Sequence, residues 1–167
     1  MRSCKRIASS ALSFHLAGAL AVGLGCASAA SAADRGSAED AQAMLARAAA
    51  RYQEVGKTQA LEEFTSDKAR FNDRDLYVYC MNLSDSHWTA HGVNRVLVGR
   101  DLASVKDADG QSIGDAILVA VRDKPSATIR YKWPDPVTRK VLPKLTFLQK
   151  MGDQVCGVGV YEGQSQP

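Results

Sequence analysis

The sequence predicts an α+β domain: one long N-terminal helix packed on a five-stranded antiparallel sheet, with shorter helices and loops over the other side of the sheet. Two changes of hydrophobic period carry this reading. Between Ala41 and Tyr52 apolar residues recur every three or four positions, which is the spacing of one helical face. From Leu76 the period becomes two, and from Ala127 to Tyr161 three such stretches follow one another with only tight connections. Consecutive strands joined by short turns form an antiparallel meander.

This reading applies to the chain after residue 33. Arg2, Lys5 and Arg6 form a basic start, Ile7 to Gly25 is mostly apolar, interrupted only by Ser, His15 and Gly, and Ala27 to Ala33 is small throughout. That is the pattern of a secretory signal peptide, with cleavage expected after Ala32 or Ala33. Cys26 invites a lipoprotein reading, but Gly23 stands three residues before it, where such motifs want a Leu-like side chain. The formal charge of +3 resides in the leader, which holds three of the 21 basic residues and none of the 18 acidic ones. The rest is balanced, leaving no basic excess to attract nucleic acid. About 134 residues remain, enough for one core. No later run approaches the ~18 apolar residues of a membrane span. The expected product is a free-standing periplasmic domain over residues 34–161, with a disordered tail at 162–167.

The elements follow in order. Ser37 with Asp40 forms a capping-box-like start, and Ala41, Met44, Leu45, Ala48, Ala49 and Tyr52 make the buried face of a helix to about Val55. Gly56 breaks it, and Lys57 to Phe64 is a second helical piece. In the first strand Leu76, Val78 and Cys80 face one way and Tyr77, Tyr79 and Met81 the other. After a polar turn at Asn82 to Ser86, Trp88 to His91 makes a short return strand. Gly99 and Asp109-Gly110 punctuate the next connection, and Ser112 with Asp115 caps an amphipathic helix carrying Ile113, Ala116, Ile117, Ala120 and Val121. The meander is Ala127 to Trp133, Lys140 to Lys150 and Gln154 to Tyr161, turning at Pro134-Asp135-Pro136 and Gly152-Asp153.

Three blocks in this order suggest a family: Ala90 to Gly110 (AHGVNRVLVGRDLASVKDADG), Tyr131 to Pro136 (YKWPDP) and Val155 to Tyr161 (VCGVGVY). Together they resemble the single Cache domain (Cache type 2), a PAS-like extracytoplasmic sensor module of bacterial chemoreceptors and histidine kinases. The resemblance runs from about Ala38 to Tyr161. The chain departs from the family's common pattern at Asn94-Arg95, Gly99-Arg100 and Ala127-Thr128, where Asn-Pro, Gly-Lys and Gly-Trp are often found. Changes on the lip of the pocket bear on ligand identity, not on the fold.

The resemblance implies a ligand held between the sheet and the loops that connect its second strand to the meander. Such a site needs an apolar wall and a few convergent polar groups. Tyr131 and Trp133 share one face of their strand by period two, Tyr79 is a further aromatic candidate, and His91 can donate or accept. Lys144 or Arg100 could neutralise a carboxylate. Each has a plainer alternative: Tyr131 and Trp133 as core aromatics beside a proline turn, His91 as a cap of the turn at Gly92, Lys144 and Arg100 as solvated surface charges. The family's strand order also sets the first and last strands side by side, so Cys80 and Cys156 are expected to form a disulfide in an oxidising compartment, with two buried free thiols as the alternative.

Other chemistry has weaker support. His87 and His91 have a helical metal-ligand spacing, but on a strand and turn their rings would not converge, so no metal is expected. Asp107-Ala-Asp109-Gly110 matches part of a calcium loop, yet Val105 and Ala116 occupy its first and twelfth ligand positions. No catalytic motif is present, and neither an enzymatic function nor a cofactor is expected. The expected function is sensing of a short organic acid or amino acid, with output through a signalling partner protein. The competing classes are a ligand-free interaction or scaffold module and, behind it, a metal or redox protein using Cys80, Cys156 and the histidines.

Overall fold

The computed structural model describes residues 35–163, so the leader expected at residues 1–33 and the last four residues lie outside the described residues. Helix α1 (Ala38–Val55) starts at a reciprocal capping box. The Ser37 hydroxyl accepts from the Asp40 N–H, and the Asp40 carboxylate accepts from the Ser37 N–H. Ala41, Met44, Leu45 and Ala48 form its buried stripe. Gly56 ends it at φ 78°, a backbone conformation that favours glycine, and α2 (Lys57–Ser66) follows directly. A four-residue helix, α3 (Lys68–Phe71), then leads into the strands.

The strand expected over 76–81 is two pieces. β1 (Asn72–Asp73) and β2 (Leu76–Tyr77) form a small hairpin, and β3 (Tyr79–Asn82) enters the main sheet. β4 (Trp88–His91), helix α4 (Ile113–Val121), β5 (Ser126–Pro134), β6 (Val141–Met151) and β7 (Gln154–Tyr161) complete the fold. The main sheet has five antiparallel strands in the order β4-β3-β7-β6-β5. The last strand therefore inserts between the first pair and the rest of the meander.

Two cores lie on opposite faces of this sheet. One joins Ala41, Met44, Ala48 and Phe64 of the first two helices to Leu76, Val78, Cys80, Cys156 and Val158. The other joins α4, through Ile113, Ile117 and Val121, to Tyr77, Tyr79, Met81, Trp88, Tyr131, Leu148 and Val155. The alternation read from the sequence thus sorts Leu76, Val78 and Cys80 from Tyr77, Tyr79 and Met81 as expected. Cys80 and Cys156 sit directly opposite each other on β3 and β7 and are disulfide-bonded, on the α1 side. At the start of the expected tail, Glu162 donates its N–H to the Pro143 carbonyl and pairs its carboxylate with Arg130.

Candidate functional site

The site grows out of the sheet face under α4 and the long connection after β4. Period two sends Lys144, Thr146 and Leu148 of β6 to this face, with Tyr131 and Trp133 of β5 beside them. On β7 the same period presents Gly157 and Gly159 between Val155 and Tyr161. Both glycines are required by close approach. A Cβ on Gly157 would come within 2.9 Å of the Tyr79 ring and hydroxyl, and one on Gly159 within 2.5 Å of Lys144 Cε. The two missing side chains make room for a tyrosine and a lysine to lie across the strand.

β4 contributes through an irregularity. Its register against β3 shifts between Cys80 and Met81, which pair with Ala90 and Trp88. The extra residue lets Trp88 and His91, three apart, share a face that strict alternation would deny them. Their rings lie 4.9 Å apart, His91 stacks on Tyr77 at 5.0 Å, and Tyr79 meets Trp88 edge-on at 5.3 Å.

Lys144 lies against this aromatic set with no exposed surface. Its Nζ sits 3.9 Å from the Tyr77 ring centroid and 4.7 Å from that of Tyr161, and it donates to the Tyr161 hydroxyl at 3.4 Å. Among the described residues no carboxylate pairs with it; Asp75 and Asp135, the nearest acidic influences, are both bonded to Arg35. Burial pulls the Lys144 amine down to about 7 against the pull of those two carboxylates. His91 is also buried, and its ring is pushed down to about 3 by desolvation and by the positive charges of Lys144 and Lys68. Its Nδ1 accepts from the Val93 and Asn94 N–H groups, so the neutral ring carries its proton on Nε2.

Among the described residues, four buried polar atoms have no partner: Tyr79 Oη, Trp88 Nε1, His91 Nε2 and Asn72 Oδ1. The indole and imidazole N–H groups are donors only, the phenol can donate, and Asn72 Oδ1 is the one obligate acceptor. Orphaned buried donors are rare in folded proteins and cost about 1–3 kcal/mol each unless something binds them. Here the three donors belong to side chains that pack in one aromatic set with Tyr77, the ring on which the Lys144 amine sits. An open depression of about 580 Å³ adjoins the set through Trp133 and Asn72, bordered by Lys68, Leu97, Pro136 and Arg139. A depression of similar size near Leu45, Ala120 and Phe147 contains none of the orphaned atoms.

Five of the six candidate ligand residues therefore come together. Tyr79, His91 and Lys144 are fully buried, Tyr131 is buried with its hydroxyl accepting from Thr146, and Trp133 is half-buried at the mouth. Arg100 stays outside, exposed, with its backbone bonded to Trp88 and Leu97. Of the two cations the sequence offered, only Lys144 reaches the aromatic set. The sequence reading missed Tyr77, Trp88, Tyr161 and Asn72. Tyr77 was signalled, since it shares its face with Tyr79; Trp88 was hidden by the bulge. His87 is exposed beside Asp85 and far from this role.

The model of the family Single Cache domain 2 matches residues 33–163. The chain belongs to this family. Among characterised proteins it is similar to the methyl-accepting chemotaxis protein McpP of Pseudomonas putida KT2440, at 26% identity over 124 residues. That match covers 73% of this chain but only 21% of the relative, so the chain spans about a fifth of that receptor's length. Three solved structures share the fold. A methyl-accepting chemotaxis protein from Vibrio parahaemolyticus superposes with a TM-score of 0.63 at 20% identity, covering 74% of this chain and 86% of that one. A Cache chemosensory domain described for carboxylic acid recognition gives 0.57 at 22% identity, with 75% and 88% covered. The periplasmic sensor domain of a chemotaxis protein gives 0.58 at 24% identity, with 75% and 90% covered. The PAS-like α+β architecture is thus that of an extracytoplasmic sensor module, and no helix among the described residues is long and apolar enough to cross a membrane.

Proposed function

We propose that this Cache domain is a periplasmic sensor for a small monocarboxylate, held by Lys144 and reported through a partner protein. The carrying observation is the mismatch on this sheet face: Lys144 is a buried amine without a carboxylate partner, packed against the Tyr77 ring, and His91, Trp88 and Tyr79, which pack with Tyr77 in the same aromatic set, carry the orphaned donors Nε2, Nε1 and Oη. A carboxylate offers acceptors only, which is what these groups lack. One cation implies one negative charge, and the close aromatic walls imply a short chain. A free amino acid would bring an ammonium to a site whose one orphaned acceptor is Asn72 Oδ1, so the acid is favoured over it. The carboxylic acid recognition described for one structural neighbour fits this chemistry. The periplasmic location rests on the leader at residues 1–33 and on the family.

The test is a thermal-shift panel of acetate, propanoate, lactate, pyruvate, amino acids and amines, run on protein refolded from denaturant so that no co-purified ligand remains. Saturation at a hundred times the dissociation constant adds about 2.7 kcal/mol, a shift of order ten degrees for a domain of this size. Short monocarboxylates should give that shift, Lys144→Met should remove it, and Arg100→Met should leave it intact. No shift with any acid would favour the ligand-free scaffold reading instead.

A further inference from the structure

We propose that carboxylate binding at Lys144 takes up a proton, so that the domain registers the acid as anion plus proton and its affinity falls as the pH rises above neutrality. The inference rests on the monocarboxylate reading above and adds a mode of regulation to it.

Lys144 Nζ is shut from solvent between the rings of Tyr77 and Tyr161, and the carboxylates nearest in influence are not free to pair with it. Asp75 is engaged by Arg35 and by the Gly36 N–H. Asp135 is engaged by Arg35 at 2.7 Å, by the Thr138 hydroxyl and by the N–H groups of Val137 and Thr138. One guanidinium thus divides itself between two carboxylates. What remains of their charge favours the ammonium from a distance without forming an ion pair. An amine so placed has little holding its proton in the empty site, and burial brings it down to about 7.

A carboxylate arriving beside Nζ supplies the missing counter-charge and holds the proton. The other titratable groups facing the site cannot do this in the same window. His91, stacked on Tyr77 from β4, is neutral at such pH because burial and the charges of Lys144 and Lys68 push it to about 3. Tyr77, Tyr79 and Tyr131 are pushed above the ordinary phenol range by burial, and Tyr161 likewise. Lys68, from α3, donates to the Gly92 carbonyl at the mouth. A short carboxylic acid itself titrates below about 5 and stays largely ionised across this range. Above pH 7 the empty site therefore lacks a proton that the complex holds, and the difference appears as uptake on binding.

The experiment is calorimetric titration of the intact exported protein with propanoate, repeated with acetate, at pH 6, 7, 8 and 9. Each titration is run in phosphate and in Tris, buffers that differ widely in ionisation enthalpy. The expected result is an uptake rising from about 0.1 proton per ligand at pH 6 to about 0.9 at pH 8, with Kd increasing about tenfold per pH unit above 7. In Lys144→Arg the guanidinium stays charged, so whatever affinity remains should lose its buffer dependence; in His91→Gln the uptake should persist. Binding to the wild type with equal enthalpies in both buffers and a flat Kd from pH 7 to 9 would overturn the inference and leave the carboxylate site standing. Uptake that survives in Lys144→Arg would also overturn it, by placing the proton elsewhere. If neither acid binds at any pH, the carboxylate reading itself falls. If Lys144→Arg fails to fold, the buffer comparison on the wild type still decides.

Discussion

At the scale of the residue, Lys144 is a destabilising choice that the proposed carboxylate site accounts for. A buried amine without an ion-pair partner disfavours folding whenever it is charged, and a methionine of similar length would fill the same space without that penalty. The sign follows from linkage. Lys144 titrates near 7 in the fold and near its ordinary value of 10.5 when unfolded, so between these pH values the unfolded chain binds more protons and stability rises with pH. Denaturant melts of ligand-free protein from pH 7 to 10 should show this rise, and Lys144→Met should flatten it; an unchanged slope in the variant would mean that the amine keeps its proton in the empty site. Several site residues were legible in the sequence because they obey strand alternation, as Tyr131 and Trp133 do, or because few polar residues lie within apolar strands, as with Lys144. Arg100 was not separable from Lys144 as the ligand's cation, since a loop residue has no periodicity from which its direction can be read.

At the scale of the element, β7 and β4 shape the buried aromatic face by different means. In β7 the alternation Val155, Gly157, Gly159, Tyr161 leaves the central positions bare, and those bare positions receive Tyr79 and the aliphatic stem of Lys144. Gly159→Ala would set a methyl 2.3 Å from Thr146 Oγ1 and 2.5 Å from Lys144 Cε. It should cost about 1–3 kcal/mol by overpacking and displace the amine, weakening carboxylate binding more than tenfold in a protein that still folds. A variant with unaltered affinity would show that the amine does not depend on this cradle. The helices and the meander were readable from period and caps. The bulge in β4 was not, because a one-residue register shift depends on pairing with β3 and leaves no mark in the local pattern. The division of the first strand into β2 and β3 was hidden for a similar reason: alternation continues through Val78 although the pairing partner changes.

At the scale of the whole molecule, the sheet separates support from recognition. The α1 face carries the Cys80–Cys156 bridge, which joins β3 to β7 across 76 residues of sequence and contributes about 3–5 kcal/mol on the chain-entropy model. The opposite face carries the aromatic set and its orphaned donors. Arg35, at the entry to the described chain, ties the two ends of the site together by bonding Asp75 before β2 and Asp135 in the β5–β6 turn. The Tyr161 hydroxyl, which receives the Lys144 hydrogen bond, donates to the Pro134 carbonyl next to Asp135. A charge held at Lys144 is therefore linked to Arg35 through three contacts, Lys144 to Tyr161, Tyr161 to Pro134, and Asp135 to Arg35.

A buried amine that shares a sheet face with orphaned donors is proposed to select an acceptor-only anion. The most direct measurement compares calorimetric titrations of refolded protein with propanoate and with propanamide, which match in shape but differ in that the amide carries two N–H donors and no charge. The acid should bind measurably at pH 6.5 and the amide at least a hundredfold more weakly, because the amide leaves Lys144 unpaired and turns donors toward donors. Equal affinity for the two, or binding of the amide alone, would contradict it.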